Sequence, residues 1–265
     1  MDTKFQRTSA LSSDFSWPAR VRKGDQMIAV SHITKSYGKK DNIFTALDNV
    51  SFEVPDKSTI AIIGKSGSGK STLMHIMSGL DSPSSGVVVI DGEDMFKMKP
   101  KAMDGFRAYK MSFIFQAFFV EANQTAYQNV MLPLEIAKIP VRKRKALVME
   151  ALDAVELGDK ASTLAGNLSG GQKQRLAIAR AIVNKPSILF ADEPTGNLDS
   201  TTGEKIMQLL FDLNSKLGCT IVLVTHDTEL AERCQHQITL KDGLVITVHD
   251  SQKPALPRAK KVRII

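Results

Sequence analysis

The segment TIAIIGKSGSGKST, residues 59–72, joins a short apolar run to a loop of glycines, lysines and hydroxyls. The apolar run has the length of a buried strand, and the apolar residues after the loop, from Leu73 to Leu80, recur at helical spacing. Residues 64–71 match the pattern GxxxxGK followed by Ser or Thr at every fixed position, in the strand, loop and helix context that makes this pattern specific. The segment therefore predicts an α/β fold with a phosphate-binding loop at the end of one strand.

This phosphate loop, residues 64–72, is predicted to bind ATP through its backbone. Glycines let consecutive N–H groups turn inward, and the following helix adds the positive end of its dipole. Lys70 is predicted to reach the β- and γ-phosphates, and Ser71 to bind Mg²⁺. The alternative is an ordinary flexible strand-to-helix turn, which the context of the match disfavours. The predicted ATP contacts in the loop are Gly64, Lys65, Ser66, Gly67, Ser68, Gly69, Lys70, Ser71 and Thr72.

A second apolar run, SILFA at residues 187–191, ends in two carboxylates. Asp192 is predicted to hold Mg²⁺ through water, and Glu193 to orient and deprotonate the water that attacks the γ-phosphate. The alternative is a pair of helix N-cap acids ahead of Pro194. His226 follows another apolar run and is predicted to touch the γ-phosphate, although a lone histidine in such a place is more often structural.

Short and often alternating apolar runs before and at the phosphate loop are typical of antiparallel strands. These runs are residues 28–30, 43–47, 50–54 and 59–63. The interval of about 100–167 has a mostly helical pattern instead. Its clearest helix covers residues 145–157 and is predicted to end at Gly158.

Two later apolar runs, 187–191 and 220–225, have the pattern of strands that are covered on both faces. Predicted helices at 172–183 and 203–217 alternate with these runs along the chain. This order predicts a mixed parallel core sheet, preceded by an antiparallel β subdomain and interrupted by a helical subdomain at about 100–167.

The charge of the chain lies at its ends. The formal net charge is +7, of which residues 1–26 carry +2 and residues 251–265 carry +5, so residues 27–250 are net neutral. A neutral domain argues against a nucleic-acid partner. We expect a poorly ordered N-terminal extension at 1–26, one domain at 27–250, and a basic C-terminal tail at 251–265 that either touches anionic lipid head groups or is merely solvated.

The chain has two cysteines, Cys219 and Cys234, which are too few for a disulfide framework and indicate a reducing compartment. No apolar stretch approaches the roughly 20 residues that cross a bilayer. The polar start of the chain lacks the apolar segment of a secretory signal. We therefore expect any membrane role to come through a partner.

A second anion site is predicted at LSGGQ, residues 168–172, where Ser169, Gly170 and Gly171 precede a helix. Two phosphate sites in one chain are redundant unless each completes the ligand site of the other. We call residues 168–172 the signature segment.

With the phosphate loop, Gln116, the Asp192-Glu193 pair and His226 in this order, the chain resembles the ATP-binding cassette (ABC) family over nearly all of residues 27–250. The resemblance implies a P-loop NTPase cassette that hydrolyses ATP. It also implies that two cassettes pair head to tail, so that ATP on one phosphate loop is closed by the signature segment of the other. The residues implied there are Leu168, Ser169, Gly170, Gly171 and Gln172.

The resemblance implies three further roles. Tyr37 would stack on adenine, although taken alone it is equally well a surface aromatic. Gln116 would contact Mg²⁺ and the attacking water while sensing the transport subunit. Asp199, in NLD at residues 197–199, would lie in the loop that crosses the dimer seam, although a helix-start acid is the simpler reading.

Within the family, ADEPTGNLDS at residues 191–200 is similar to the subgroup that drives lipoprotein release, macrolide or antimicrobial-peptide export, and cell-wall regulation of the FtsE–FtsX type. The implied partner is an integral membrane permease, with the cassette at the cytoplasmic face of the membrane. The chain departs from this subgroup after Gln116, where AFFVEAN at residues 117–123 stands in place of a run closer to Asn-Leu-Leu-Pro.

Two other functions fit a cassette. One is an ATPase that acts on nucleic acid or ribosomes, which the single cassette, the neutral domain and the lack of a heptad run disfavour. The other is a regulatory module that uses ATP only as a clamp, which the intact Glu193 disfavours.

Overall fold

The computed structural model describes residues 26–39 and 42–250. Residues 1–25 of the predicted extension and the whole predicted basic tail lie outside the described residues. The described strands are β1 Gln26–Tyr37, β2 Phe44–Pro55, β3 Thr59–Ile63, β4 Ser85–Ile90, β5 Glu93–Asp94, β6 Met111–Ile114, β7 Ile188–Asp192, β8 Thr220–Thr225, β9 His236–Lys241 and β10 Leu244–Asp250. The described α-helices are α1 Lys70–Met77, α2 Pro100–Lys110, α3 Ala126–Ile136, α4 Val141–Ala154, α5 Gly170–Ile182, α6 Ser200–Leu217 and α7 Thr228–Glu232.

The strands form two sheets. An antiparallel sheet has the order β2-β1-β4-β5, and a mixed sheet has the order β10-β9-β3-β8-β7-β6, in which only the β10–β9 pair is antiparallel. The predicted core sheet and antiparallel β subdomain are therefore confirmed. The prediction that residues 59–63 form an antiparallel strand was wrong, because β3 pairs in parallel with both β8 and β9. Its first four residues are all buried, as in a strand covered on both faces.

The core sheet separates two apolar cores. Along β8, Ile221 and Leu223 face one core while Val222 and Val224 face the other, because successive side chains of a strand point to opposite faces. One core includes residues of α3 to α6, and the other includes residues of α1 and the antiparallel sheet. The strands that carry the predicted site residues are thus packed on both sides.

Three neighbouring strands bring the site together. β3, β8 and β7 lie side by side and run in the same direction, so their carboxyl ends meet at one edge of the sheet. The phosphate loop leaves β3, Asp192 ends β7, and His226 follows β8. Ligand sites of open α/β sheets lie at this edge.

The interval 100–167 contains one strand of the core sheet. β6 pairs in parallel with β7 from Met111↔Ile188 to Ile114↔Ala191. The helix predicted at 145–157 covers Val141–Ala154 instead and follows Pro140. Gly158 does not end it, because the chain has already left the helix at Val155 and Glu156 then adopts a φ of 59°.

Two further differences concern element ends. The runs 43–47 and 50–54 form the single strand β2, in which Asn49 has a φ of 50° and the register with β1 is irregular. An irregularity of this kind interrupts the alternation without ending the strand. Helices α5 and α6 begin earlier than the predicted residues 172 and 203, because Ser169 and Asp199 cap them.

Candidate nucleotide-binding site

The phosphate loop has the backbone shape of an anion cradle. Gly67 and Gly69 have φ values of 78° and 100°, in the left-handed region that only glycine enters freely. A Cβ atom at Gly69 would lie 2.6 Å from the backbone oxygen of Ala46, so no other residue fits. The Ser68 hydroxyl is buried without a hydrogen-bond partner among the described residues. A buried polar atom of this kind fits a loop that is completed by a ligand.

Lys70 lies inside the loop rather than in solvent. Its side chain is nearly buried, and its Nζ donates to the backbone oxygens of Gly64 at 2.9 Å and Lys65 at 3.0 Å. These carbonyls hold the ammonium group against the backbone of the phosphate loop. The ammonium charge therefore lies at the loop that is predicted to bind the phosphates.

The two acids after β7 have different surroundings. Burial, followed by the charge of Glu193, raises the pKa of the Asp192 carboxyl, while His75, Lys70 and the Ser71 hydroxyl oppose the shift. The backbone of Glu193 has a φ of 44°, and its N–H donates to the backbone oxygen of Val224 at 2.9 Å. A non-glycine residue at positive φ is uncommon and often marks a functional site. Neither acid caps a helix.

His226 contacts Glu193 directly. Its Nδ1 lies 2.9 Å from Oε1 of Glu193. Since an ionised carboxylate only accepts hydrogen bonds, Nδ1 must carry the proton. The Nε2 atom of a neutral His226 then has only a lone pair, so donation to a phosphate oxygen from Nε2 requires the imidazolium form.

Gln116 is tied to the loop that follows Glu193. The Nδ2 of Asn197 donates to the backbone oxygen of Gln116 at 2.9 Å, and Nε2 of Gln116 lies 3.4 Å from Oδ1 of Asn197. A Cβ atom at Gly196 would lie 2.7 Å from Nε2 of Gln116. The loop after β6 and the loop after β7 thus meet at the site.

A cavity of about 650 Å³ joins these groups. We call it the first cavity. Its lining includes all of the predicted metal and catalytic residues and six of the nine predicted phosphate-loop contacts, and also two residues that the sequence did not indicate, Phe44 and Ala46. The lining residues are Phe44, Ala46, Ser66, Gly67, Gly69, Lys70, Ser71, Thr72, Gln116, Asp192, Glu193 and His226.

Tyr37 stands beside the first cavity but does not line it. Its hydroxyl donates to Oδ2 of Asp81 at 2.7 Å and also contacts the Thr72 side chain. Lys35 lies 4.7 Å from the centre of the Tyr37 ring and 2.7 Å from Oδ1 of Asp81. The cross-strand partner of Tyr37 is Phe44, a residue that lines the cavity and is 63% exposed.

Three of the predicted phosphate-loop residues lie outside the lining of the first cavity. The carbonyl groups of Gly64 and Lys65 accept from Lys70, and Ser68 is buried. Leu168 of the signature segment is buried in the apolar core and lines neither cavity.

The signature segment lines a second cavity of about 310 Å³. Ser169 caps α5 and forms a capping box with Gln172. Asp199 caps α6, because its Oδ1 accepts from the backbone N–H of Thr202 at 2.9 Å. Asp199 is therefore a helix-start acid, and it also lines this cavity. The lining residues are Ser169, Gly170, Gly171, Gln172, Arg175, Asn197, Leu198, Asp199, Thr202, Lys205 and Ile206.

The two cavities have no lining residue in common. The first cavity therefore holds residues that are predicted to bind and hydrolyse ATP, whereas the second cavity holds residues of the signature segment. Among the described residues, no helix has the length and apolar character needed to cross a membrane.

Comparisons with known proteins agree on the family. The model of a family described as ABC transporter matches residues 47–196. The lipoprotein-releasing system ATP-binding protein LolD of Bacteroides fragilis is 41% identical over 220 residues, which are 83% of this chain and all of that protein. LolD of Syntrophotalea carbinolica is 42% identical over 85% of this chain and 99% of that protein.

Solved structures give the same result. The ATP-binding cassette MJ0796, solved as a dimer in a post-hydrolysis state bound to ADP and Pi, is 40% identical, with a TM-score of 0.76 over 84% of this chain and 98% of that chain. The cbiO1 protein of Clostridium perfringens, part of the ABC transporter complex cbiONQ, is 28% identical, with a TM-score of 0.78 over 85% of this chain and 89% of that chain. The chain therefore belongs to the ABC transporter family, in which it is an ATP-binding subunit that hydrolyses ATP.

Proposed function

We propose that two copies of this chain pair head to tail, with each ATP held between the first cavity of one copy and the second cavity of the other. The observation that carries this proposal is the separation of the phosphate loop and the signature segment into two cavities that share no residue. The dimeric solved structures of MJ0796 support it. In such a pair, the signature segment of one copy completes the ATP site at the phosphate loop of the other.

The first cavity has the donors that Mg²⁺ prefers. Ser71, Gln116 and Asp192 present a hydroxyl, an amide oxygen and a carboxylate, and all three line the cavity beside the phosphate loop. Mg²⁺ in nucleotide sites is held by one or two carboxylates together with phosphate oxygens. We assign these three residues to the metal, which would neutralise charge on the phosphates.

In the proposed reaction, water attacks the γ-phosphorus and the bond to the bridging oxygen of ADP breaks, which releases ADP and phosphate. Glu193 takes the proton of the attacking water. His226 holds the Glu193 carboxyl in place through its Nδ1 hydrogen bond. Lys70, together with the Ser169 hydroxyl and the Gly170 N–H of the partner copy, stabilises the charge that develops on the phosphate.

We further propose that this ATPase works at the cytoplasmic face of a membrane, bound to a separate integral membrane permease. Export or mechanotransmission of a lipoprotein, a peptide, a drug or a cell-envelope signal is the proposed task, and relatives named as lipoprotein-releasing ATP-binding proteins favour the lipoprotein. The rival functions, action on nucleic acid or ribosomes and an ATP clamp, have no such support.

The permease is tested by purification of the tagged full chain from detergent-solubilised membranes. We expect an integral membrane protein to copurify in near-equal amount and to raise the rate of ATP hydrolysis. A permease with four helices and a large outer domain supports mechanotransmission. Recovery of ribosomes or nucleic acid in place of a membrane protein contradicts the transport proposal.

The base of ATP is proposed to stack on Tyr37, with Phe44 as the neighbouring ring. Aromatic stacking contributes about 0.5–1.5 kcal/mol, so Tyr37→Ala is expected to weaken ATP binding by about 2- to 12-fold. The measurement is ATP titration by calorimetry, with Phe44→Ala and Tyr37→Phe in parallel. We expect Tyr37→Phe to retain stacking. A larger loss in Phe44→Ala than in Tyr37→Ala reassigns the base to Phe44.

A further inference from the structure

Gln174 makes a buried hydrogen bond between helix α5 and the loop that follows β7. Its side chain has no exposed surface, and its Nε2 donates to the backbone oxygen of Pro194 at 2.6 Å. Gln174 lies one helical turn after Gly170 on α5. Pro194 directly follows Glu193. One contact thus joins the helix that carries the signature segment to the loop that carries the catalytic carboxylate.

The other end of the same amide limits how much the contact stabilises the fold. The Oε1 atom of Gln174 is buried and has no hydrogen-bond partner among the described residues. A buried acceptor without a partner costs free energy; an apolar side chain of the same size would remove that cost but would leave the Pro194 oxygen unpaired, so the two effects largely offset each other. The bond to Pro194 therefore adds little to the net free energy of folding.

The loop that contains Pro194 is held by two backbone hydrogen bonds. The Glu193 N–H donates to Val224, and the Gly196 N–H donates back to the Glu193 oxygen at 3.0 Å. Between these two bonds, the Pro194 oxygen is the point at which α5 holds the loop. A shift of α5 would therefore reach the Glu193 backbone through a single residue.

We propose that Gln174 is a positioning residue that couples the two ATP sites of the dimer. When the partner's ATP binds to Ser169 and Gly170, the position of α5 becomes fixed. Gln174 then fixes the position of Pro194, and with it the backbone of Glu193 in the same chain. Each copy then aligns its own carboxylate only when its signature segment is occupied. This inference rests on the proposed head-to-tail dimer.

The test replaces Gln174 with Met in the full chain. We expect kcat to fall by about 10- to 100-fold, because small displacements of a catalytic group have effects of that size. The Hill coefficient for ATP should fall to about 1, because the coupling between sites is lost. The dissociation constant for ATP and the melting temperature should stay at the wild-type values. A purely structural role would lower the melting temperature without changing the Hill coefficient.

A matched control removes a comparable bond far from the site. The Thr220 hydroxyl is fully buried and accepts from the backbone N–H of Lys57 at 2.8 Å, at the opposite end of β8 from His226. Thr220→Val removes the side-chain partner of one backbone group, as Gln174→Met does. We expect Thr220→Val to keep the wild-type Hill coefficient, and Gln174→Leu to repeat the effect of Gln174→Met if the Met variant folds poorly.

Two outcomes separate this inference from the proposed dimer. A wild-type kcat and Hill coefficient in Gln174→Met and Gln174→Leu overturn the coupling role alone, while cooperative turnover by the wild-type chain still supports the dimer. Full-rate hydrolysis by a strictly monomeric wild-type chain overturns both.

Discussion

Glu193→Gln is expected to abolish ATP turnover while the chain still binds ATP and accumulates as an ATP-bound dimer. Glutamine has the shape of glutamate, and its Oε1 can still accept the Nδ1 proton of His226, so the 2.9 Å contact is retained. The amide oxygen is a far weaker base than a carboxylate. We expect a loss of about 10²- to 10⁴-fold in kcat, the range for one positioned general base.

The trapped dimer follows from the same change. If ATP bridges the first cavity of one copy and the second cavity of the other, the bridge persists as long as the γ-phosphate stays attached. Phosphate release measures the turnover, and light scattering with ATP and Mg²⁺ measures the dimer. Glu150→Gln is the matched control, because Glu150 is an exposed acid that pairs with Lys185 on the surface, and it should behave as wild type. Unchanged phosphate release by Glu193→Gln would reject Glu193 as the base.

Most of the fold and much of the site could be predicted from the order of the apolar runs and from the local motifs of this chain. The phosphate loop and the Asp192-Glu193 pair each lie within a few residues of sequence, so their spacing alone indicates their chemistry. The core sheet follows from apolar runs that alternate with helices. What these patterns share is that the interacting groups are close along the chain.

Contacts between distant segments were not predictable in the same way. Phe44 lines the first cavity because strand pairing places it opposite Tyr37, and no local pattern marks that register. Asp81 holds the Tyr37 hydroxyl from 44 positions away. β3 was assigned to the antiparallel strands because its pairing partners, β8 and β9, come more than 150 residues later.

The buried bond from Gln174 to Pro194 is a further example. Gln174 stands among helical residues whose pattern indicates only that α5 packs on one side. A glutamine at a buried position is a departure from that pattern, and such departures often lie at functional sites. The sequence alone shows the unusual glutamine but does not show that it contacts the carbonyl group of Pro194.

The composite site predicts that two inactive variants restore each other. Lys70→Ala removes the phosphate-binding ammonium group from the first cavity. Ser169→Asp keeps a good N-cap for α5 but puts a carboxylate against the partner's γ-phosphate. We expect each variant alone to lose at least about 10²-fold in turnover, the size of effect of one transition-state donor. Ser169→Asn, a neutral cap of similar size, should lose less than Ser169→Asp.

Mixing the two inactive variants is the decisive step. In a mixed dimer, the intact phosphate loop of the Ser169→Asp copy faces the intact signature segment of the Lys70→Ala copy, so one complete site forms. Equal mixing makes half of the dimers mixed, and the expected rate is at most about a quarter of wild type, which independent sites would reach and which coupling through Gln174 would reduce. Wild type mixed with Lys70→Ala reports how fast a dimer with one intact site turns over and sets the scale. If the wild-type and Lys70→Ala mixture shows one-site activity while the two inactive variants remain inactive together and form no mixed dimer with ATP, each chain must complete its site by itself, and the head-to-tail proposal is wrong.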